Sequence, residues 1–402
     1  MNRIYPLLMI ITLCLTGCWD RIEMNDVSIV TGLAVDRGED QKYMLTVEAV
    51  NPTQFSKQKG GDDAPVTTFS LEGDTISELT DKMNVGMTRK LIFSHTRVLF
   101  ISEEIAKEGV VGFLDFLERS GEFRNDFNIL ITKGMKAADF TRITYPLQKV
   151  PSLKIHKQIE SFGDEWGGDP RVRLTDFISS MTSKGRSPVA SAISVKGDAE
   201  KGEKVENNKS LSVDALVTME GIALFEGDRL KGYLSLKDTR NFVWTQDLDQ
   251  TSLSVPCKES TKDEPKYFNV RVNTSSTKLH ARYQNNQPIL SVKIDGETSL
   301  AGSHCANDLT KLDSFKEMEK LINAHVKNEI EGTLNKVQKD FGLDIFGFGE
   351  VMNRQHYKKY KEVEGKWNEE FSRANFEVDV KYHLIRSGIK SKSFLVSEPA
   401  VE

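Results

Sequence analysis

Beyond its first seventeen residues, this 402-residue sequence has no long hydrophobic run. Crossing a bilayer as a helix takes about 20 apolar residues, and nothing after Cys18 approaches that, so the rest of the chain is expected to form a soluble body. Cysteine is scarce, with only Cys14, Cys18, Cys257 and Cys305. A disulfide between Cys257 and Cys305 is permitted outside the cytosol, but two isolated or buried thiols fit the sequence equally well. Positive charge is not concentrated anywhere, and the formal net charge is -5, so no nucleic-acid partner is expected. Catalytic signatures are missing too. There is no G-x-S-x-G elbow, no G-x-x-x-x-G-K-S/T phosphate loop and no G-x-G-x-x-G after a strand. The seven histidines are scattered without zinc-ligand spacing, and the adjacent pair His304-Cys305 is weak grounds for a metal. No catalytic residue, cofactor or metal ligand is assigned.

The N-terminus does carry a signal. Arg3 precedes an apolar segment over residues 4–15, interrupted by Pro6, and Leu15-Thr16-Gly17-Cys18 then gives way to the polar Asp20-Arg21-Ile22-Glu23. This is the layout of a secretory signal peptide, with a run of roughly a dozen residues that is too short to span. The Leu-x-Gly-Cys box resembles the bacterial lipobox. On that resemblance residues 1–17 are removed and the Cys18 thiol carries a diacylglycerol, whose two chains suffice for stable anchoring. An ordinary signal peptide or a short anchor is the alternative.

A content of 38% hydrophobic and 28% charged residues is that of a globular chain, with length for two or three cores. Residues 27–36 and 43–50 read as an antiparallel hairpin, and 56–63 as a polar loop. Asp74 is placed to cap a helix bearing Ile76, Leu79, Met83 and Met87. A strand over 96–101, a helical stretch from Ser102 to Arg119 and a strand over 127–132 follow, so the first unit is expected to be a mixed sheet covered by helices. Between Pro146 and Pro188 the pattern weakens, apart from a helix over 174–181. The polar run 196–210 reads as a linker, because Val205 is its one large apolar residue. Beyond it lie a hairpin over 215–236, strands over 268–272 and 289–294, a long helix over 309–341 and a last strand over 376–384. Leu312, Phe315, Leu321, Ile322, Val326, Ile330, Leu334, Val337 and Phe341 form one stripe on that helix, as packing across a sheet requires. The expected fold class is α+β, multidomain, with mixed β-sheets packed with helices. The domains are an N-terminal one at 18–145, a small middle unit at 146–195, the linker, a C-terminal α+β domain at 211–390 and a polar tail at 391–402.

Carboxylate pairs such as Glu103-Glu104, Asp62-Asp63 and Glu369-Glu370 sit among hydrophilic neighbours and read as solvated surface. Gly347-Phe348-Gly349 reads as a tight packed corner. Several blocks in matching order carry a resemblance. The start, Gly17-Cys18-Trp19-Asp20-Arg21-Ile22-Glu23-Met24-Asn25-Asp26 with Ile29-Val30-Thr31-Gly32-Leu33-Ala34-Val35-Asp36, is similar to that of the Ger(x)C spore-germination lipoproteins, the C subunits of nutrient germinant receptors. Ile92-Phe93-Ser94-His95, residues 101–109 and Phe116-Leu117-Glu118-Arg119 resemble the same family's N-terminal region. Asp344-Ile345-Phe346-Gly347-Phe348-Gly349-Glu350, residues 367–371 and the final strand resemble its C-terminal domain. The chain departs from the family at Arg21-Ile22, where two basic residues are expected, and at His356-Tyr357-Lys358-Lys359-Tyr360, where a Trp-led segment often stands.

The resemblance implies three mixed α/β modules, no catalytic site, and a tether on Cys18 to the outer face of the spore inner membrane. It further implies polytopic A- and B-type receptor subunits as partners, nutrients as the stimulus, and release of ions and dipicolinic acid as the response. His95 and the corner from Asp344 to Glu350 are expected to be structural or interface features, and no germinant site is assigned to this subunit. The rival from another class is a solute-binding lipoprotein of a membrane transporter, which needs a cleft between two doubly wound domains. A membrane-tethered hydrolase is a further rival, without a visible catalytic constellation.

Overall fold

The computed structural model describes residues 26–51, 64–248, 250–305 and 311–386, so the leader, Cys18 and the tail at 391–402 lie outside the described residues. The expected opening hairpin forms as β1 (Val27–Arg37) and β2 (Tyr43–Val50), paired antiparallel. The strand β3 (Val66–Gly73) adds beside β2, while β4 (Lys90–Ile92) and β5 (Val98–Ser102) run parallel to β1. The helix α1 (Ile76–Lys82) is capped by Thr75, whose hydroxyl accepts the Glu78 amide at 3.3 Å. Asp74, the expected cap, instead accepts the Lys42 amide at 3.3 Å. The helical stretch after Ser102 divides into α2 (Glu103–Glu108) and α3 (Val111–Arg119), because Gly109 turns the chain at φ +124°. A Cβ there would lie 2.5 Å from Asp228 Oδ2, so glycine is needed for the turn and for the close approach.

The chain continues through β6 (Asn128–Thr132), α4 (Ala137–Phe140), α5 (Pro151–Trp166), α6 (Leu174–Thr182), β7 (Val189–Gly197), α7 (Ala199–Gly202), β8 (Ala215–Glu226) and β9 (Arg229–Leu234). The first sheet has the order β3-β2-β1-β5-β6-β7-β8-β9, with β4 beside the start of β1. Its four central strands are parallel and antiparallel pairs flank them on both sides. Parallel strands need covering on both faces. Leu33, Leu99, Ile129 and Ile131 share one buried cluster with Phe113, Leu117 and Phe177 of α3 and α6. Ala34, Phe100 and Leu130 share the other with Phe140, Ile155 and Ile159 of α4 and α5.

The polar stretch 196–210 does not separate two sheets. It connects the neighbouring antiparallel strands β7 and β8, so the first sheet runs through the expected middle unit and past residue 211. Its lack of apolar residues is offset by hydrogen bonds. Buried Asn207 donates from Nδ2 to the Thr144 carbonyl at 2.8 Å and accepts the Asp214 amide at 2.8 Å.

The change of sheet comes after β9, at α8 (Leu236–Trp244). Then follow β10 (Thr251–Pro256), β11 (Tyr267–Gln284) and β12 (Gln287–Ser303), with Asn285 and Asn286 at φ 51° and 60° forming the tight turn of a long hairpin. The helix α9 (Leu312–Asp340) leads through α10 (Phe348–Gln355), α11 (Tyr357–Val363) and α12 (Trp367–Ser372) to β13 (Asn375–Arg386), which pairs parallel to β12. The second sheet has the order β10-β11-β12-β13. The expected stripe on α9 is buried at Ile322, Val326, Ile330, Leu334 and Val337. Leu312 is exposed, and buried Met318 begins the stripe in its place. A disulfide joins Cys257, just after β10, to Cys305, just after β12, with Cα atoms 5.7 Å apart. The fold is α+β, with two mixed sheets packed by helices and a long C-terminal helix across the second. Among the described residues no helix is long and apolar enough to cross a membrane.

Candidate functional site

Of the residues singled out in the sequence, Cys18 lies outside the described residues. His95 is exposed, in the turn between β4 and β5, where the Thr96 amide bonds the Phe93 carbonyl at 3.0 Å. His304 is exposed as well, and its neighbour Cys305 is committed to the disulfide. Glu259 lies within reach of those two sulfurs, but the bond between them removes the thiolates that a metal would need.

The corner 344–350 is a built polar centre. Asp344 is fully buried and accepts four donors: the Phe346 amide at 3.1 Å, the Gly347 amide at 2.9 Å, the Gly349 amide at 2.8 Å and Trp367 Nε1 at 2.7 Å. Burial pushes its pKa to about 6 although those donors pull it down. Gly347 sits at φ +85° to let the chain wind round the carboxylate. Gly349 meets Gly185 backbone to backbone, and a Cβ on Gly349 would fall 2.5 Å from the Gly185 Cα. The Ser187 amide donates to the Asp344 carbonyl at 2.7 Å. The corner therefore joins the C-terminal helices to the segment that leads into β7 of the first sheet.

Around this joint the two sheets interlock. Arg240 of α8 is buried with its guanidinium 4.9 Å from the Trp166 ring, at the end of α5, and 5.6 Å from the Trp244 ring. Trp244 Nε1 donates to Tyr382 Oη of β13 at 2.7 Å. Gln246 Nε2 donates to the Phe346 carbonyl at 3.1 Å, and Thr251 Oγ1 to the Trp166 carbonyl at 2.7 Å.

Beside the joint opens a cleft of about 330 Å³, lined by the 169–172 loop, α6, Arg186 and the end of α8 with Gln246 and Asp247. Asp169 is 2% exposed; its Oδ1 accepts the Arg171 amide at 2.6 Å, while Oδ2 has no hydrogen-bond partner among the described residues. The Ser191 hydroxyl faces the same carboxylate without closing a bond of ordinary geometry. Burial raises the Asp169 pKa to about 6, against the pull of Ser191 and Arg171.

The first sheet holds two more buried acids. Glu48 of β2 accepts Thr31 Oγ1 at 2.7 Å, the Ser152 amide at 3.1 Å and the Ser152 hydroxyl, and so anchors the start of α5. Burial pushes its pKa to about 7. Asp36 accepts the Ala137 and Ala138 amides at 2.7 and 2.9 Å and is held above the usual carboxylate range by burial. Sequence reading placed Glu48 and Asp36 in strands without marking them. The available signal was a lone acid in an apolar strand, as in Val47-Glu48-Ala49. Asp36, Glu48, Asp169 and Asp344 are each bonded to backbone amides or hydroxyls of their own surroundings rather than paired with a second acid. What these groups do is hold helix starts and corners in place.

Two family profiles match the chain in succession. One, described as "Spore germination protein N-terminal domain", covers residues 20–195; the other, "Spore germination B3/ GerAC like, C-terminal", covers residues 220–388. Spore germination protein KC of Bacillus subtilis (strain 168) is 28% identical over 393 residues, 96% of this chain and 95% of that protein. Spore germination protein B3 of the same organism is 22% identical over 399 residues, 96% of this chain and 98% of that protein. The crystal structure of the GerBC protein has the same fold, with a TM-score of 0.55, 17% identity and coverage of 88% of this chain and 97% of that one.

Proposed function

The chain belongs to the GerAC-like family of spore germination proteins, and on that premise we propose that it is the C-type subunit of a nutrient germinant receptor. It works without catalysis, through contacts with polytopic A- and B-type subunits, tethered by diacylglycerol on Cys18 to the outer face of the spore inner membrane. The observation that carries this reading is the succession of two germination-family matches along nearly the whole chain, at 20–195 and 220–388. The site geometry is in keeping with it, since the buried acids serve as structural ties, and ties of that kind suit a rigid body that presents surfaces to partners. The solute-binding reading asks for two doubly wound domains. Here the first sheet carries antiparallel pairs at both edges and the second has a single parallel pair, β12 with β13, among the described residues.

The test is an affinity pull-down of the full-length lipoprotein from detergent-solubilised spore membranes, with Cys18→Ala beside it. Co-recovery of polytopic receptor subunits, weakened in the variant, is expected because the lipid raises local concentration at the partners. Recovery of transporter components instead would replace the receptor reading with the solute-binding one.

A further inference from the structure

The two sheets end in four edge strands, β3 and β9 in the first and β10 and β13 in the second. Three of these edges are guarded. Side chains of α9 bond outward amides of β13. β10 ends in Pro256, which has no amide, and Arg240 Nη1 donates to its Ser252 carbonyl at 3.4 Å. β9 shifts register against β8, carries Arg229 and Lys231, and lies against α2. Bulges, prolines, charges and covering elements all keep an edge from pairing with another chain. β3 has no proline, lysine, arginine or register shift, and its one charged side chain, Glu72, is turned back to the amides of residues 39–41. We propose that β3 is the surface through which two copies of this chain pair, edge to edge, as one continuous sheet across a two-fold axis. This pairing goes beyond the receptor reading and does not rest on it.

The phase of the β2–β3 ladder shows which backbone groups are open. The Asn51 amide donates to the Pro65 carbonyl at 3.0 Å, so in this register the odd residues of β3 bond to β2. Thr68, Ser70 and Glu72 therefore turn their amides and carbonyls outward, and none of those groups has a partner among the described residues. The strand itself is firmly held. Phe69 and Leu71 pack against the apolar core, the Gly86 backbone lies against the Phe69 ring, and the Ser70 and Thr46 hydroxyls are 2.7 Å apart. A fixed edge with open amides is a template for an added strand.

The occupant is a second copy because the edge is its own complement. An antiparallel pairing centred on Ser70 sets this residue opposite Ser70 of the second copy and Thr68 opposite Glu72. Every open amide then meets an open carbonyl. Phe69 comes to lie beside Leu71 on the face where both already pack, as an apolar cross-strand pair. Charge agrees with this direction. At the Gly73 end, Glu39, Asp40, Glu72 and Asp74 outnumber Lys42 and Lys136. At the Val66 end, Arg89 lines a groove with Thr67 and Asn51, Lys90 follows it, and neither side chain has an ion pair among the described residues. An antiparallel two-fold brings the acidic end of one copy to the basic end of the other, whereas a parallel pairing would set like ends together. A contact of this kind also closes after two copies and leaves no further edge of its type.

The test uses the full-length lipoprotein, in detergent and in its own membrane. Cys257 and Cys305 are joined and supply no competing thiol. Ser70→Cys is expected to give a disulfide-linked dimer on mild oxidation, since opposed residues of a hydrogen-bonded pair have Cα atoms about 5.5 Å apart. Thr68→Cys and Glu72→Cys should each fail to crosslink alone, because like residues then lie about 13 Å apart along the strands. Mixed together, the two should crosslink. Ser70→Lys and Ser70→Glu each set like charges across the axis and should weaken the dimer by about tenfold or more, while an equimolar mixture should restore it. The variants at 68 and 72 decide the matter even if substitutions at 70 fail to fold. The proposal is overturned if the native chain sediments as a monomer up to about 100 μM. It is equally overturned if Ser70→Cys crosslinks no faster than Thr68→Cys, or if in the membrane it crosslinks to a different polypeptide, which would give the edge to another strand.

Discussion

The two sheets solve the same burial problem by different means. The first is parallel at its centre, covered on both faces, and takes acids inside at Asp36 and Glu48. The second is built from strands of up to 18 residues, and β11 alternates exposed and buried positions along much of its length. It is held by ties at its ends: the disulfide, the Asp344 corner, and α9 across one face. Protonation therefore weighs on both, through Glu48 and Asp36 in the first sheet and Asp344 at the corner of the second, whereas covalent closure belongs to the second alone. The two share one apolar cluster and the Asp344 joint, so changes at that joint should reach both, while changes far from it should stay on their own side.

The largest effect is expected at the corner. Asp344→Ala strands four donors, three of them backbone amides, in a site with no water access. Each buried unpaired donor costs about 1–3 kcal/mol, so a loss of at least about 4 kcal/mol is expected in denaturant unfolding. Hydrogen exchange should rise first in β12 and β13. A loss below about 1 kcal/mol would show that the corner relaxes and does not hold the second sheet. Next comes the disulfide. Cys257 and Cys305 are 48 residues apart, and a loop of that length is worth up to about 4 kcal/mol by chain entropy, with typical values of about 2–4. Cys305→Ser and thiol reduction should lower Tm alike and loosen β10 to β12. Unchanged amide exchange in β5 and β6 would uphold the contrast; equal loosening there would break it.

On the side of the first sheet the lever is pH. Glu48 binds its proton more tightly when folded, with a pKa of about 7 against 4.5 for the free group. Between those values the native state holds more protons than the unfolded one, so stability falls as pH rises through this window and is fully reduced above it. The shift corresponds to about 3 kcal/mol. Asp36 shifts in the same direction, and Asp169 and the corner acid Asp344 do so with pKa values of about 6, so the profile has contributions from both sheets. Glu48→Gln keeps the shape and the contacts to Thr31 and Ser152 but cannot ionise. It is expected to raise Tm at pH 8, leave it nearly unchanged at pH 4.5, and flatten the profile between. A variant profile as steep as the native one would assign the pH dependence to other groups.

The sequence was legible where one physical pattern acted alone. The β1–β2 hairpin, the stripe of α9 and the alternation of β13 each show a single period, and each forms close to where it was read. It was less legible where tertiary contacts decide. Residues 151–166 form the 16-residue helix α5, yet Gly163 and several polar residues dilute its stripe, and its start is fixed by the distant Glu48. The segment 196–210 looked like a linker because its order comes from Asn207 and Thr144 rather than from apolar burial. The corner from Asp344 to Glu350 was legible as a structural feature, and an Asp that bonds amides two and three residues on is a local turn pattern, but Trp367 and the matching Gly185 that complete it come from distant segments. The cleft was invisible for the same reason, since Asp169, Arg186 and Gln246 come from segments that only the fold brings together.

The smallest effect concerns the free edge of the second sheet. An edge strand leaves amides without a ladder partner, and exposed edges invite pairing with other chains. On β13 the helix α9 supplies what a neighbouring strand would: Asn323 Oδ1 accepts the Tyr382 amide at 2.7 Å, and Glu319 Oε1 accepts the Leu384 amide at 2.9 Å. These are single bonds at a partly wet margin, so Asn323→Ala is expected to cost about 1 kcal/mol, far less than the corner or the disulfide. The informative readout is local. Exchange of the Tyr382 amide should speed up while amides in β11 stay protected, and the variant should associate more readily at high concentration. If Tyr382 exchange is unchanged, burial under α9 protects that edge and the side-chain bond adds nothing. The second sheet would then depend on its terminal ties alone, and its contrast with the first sheet would be sharper still.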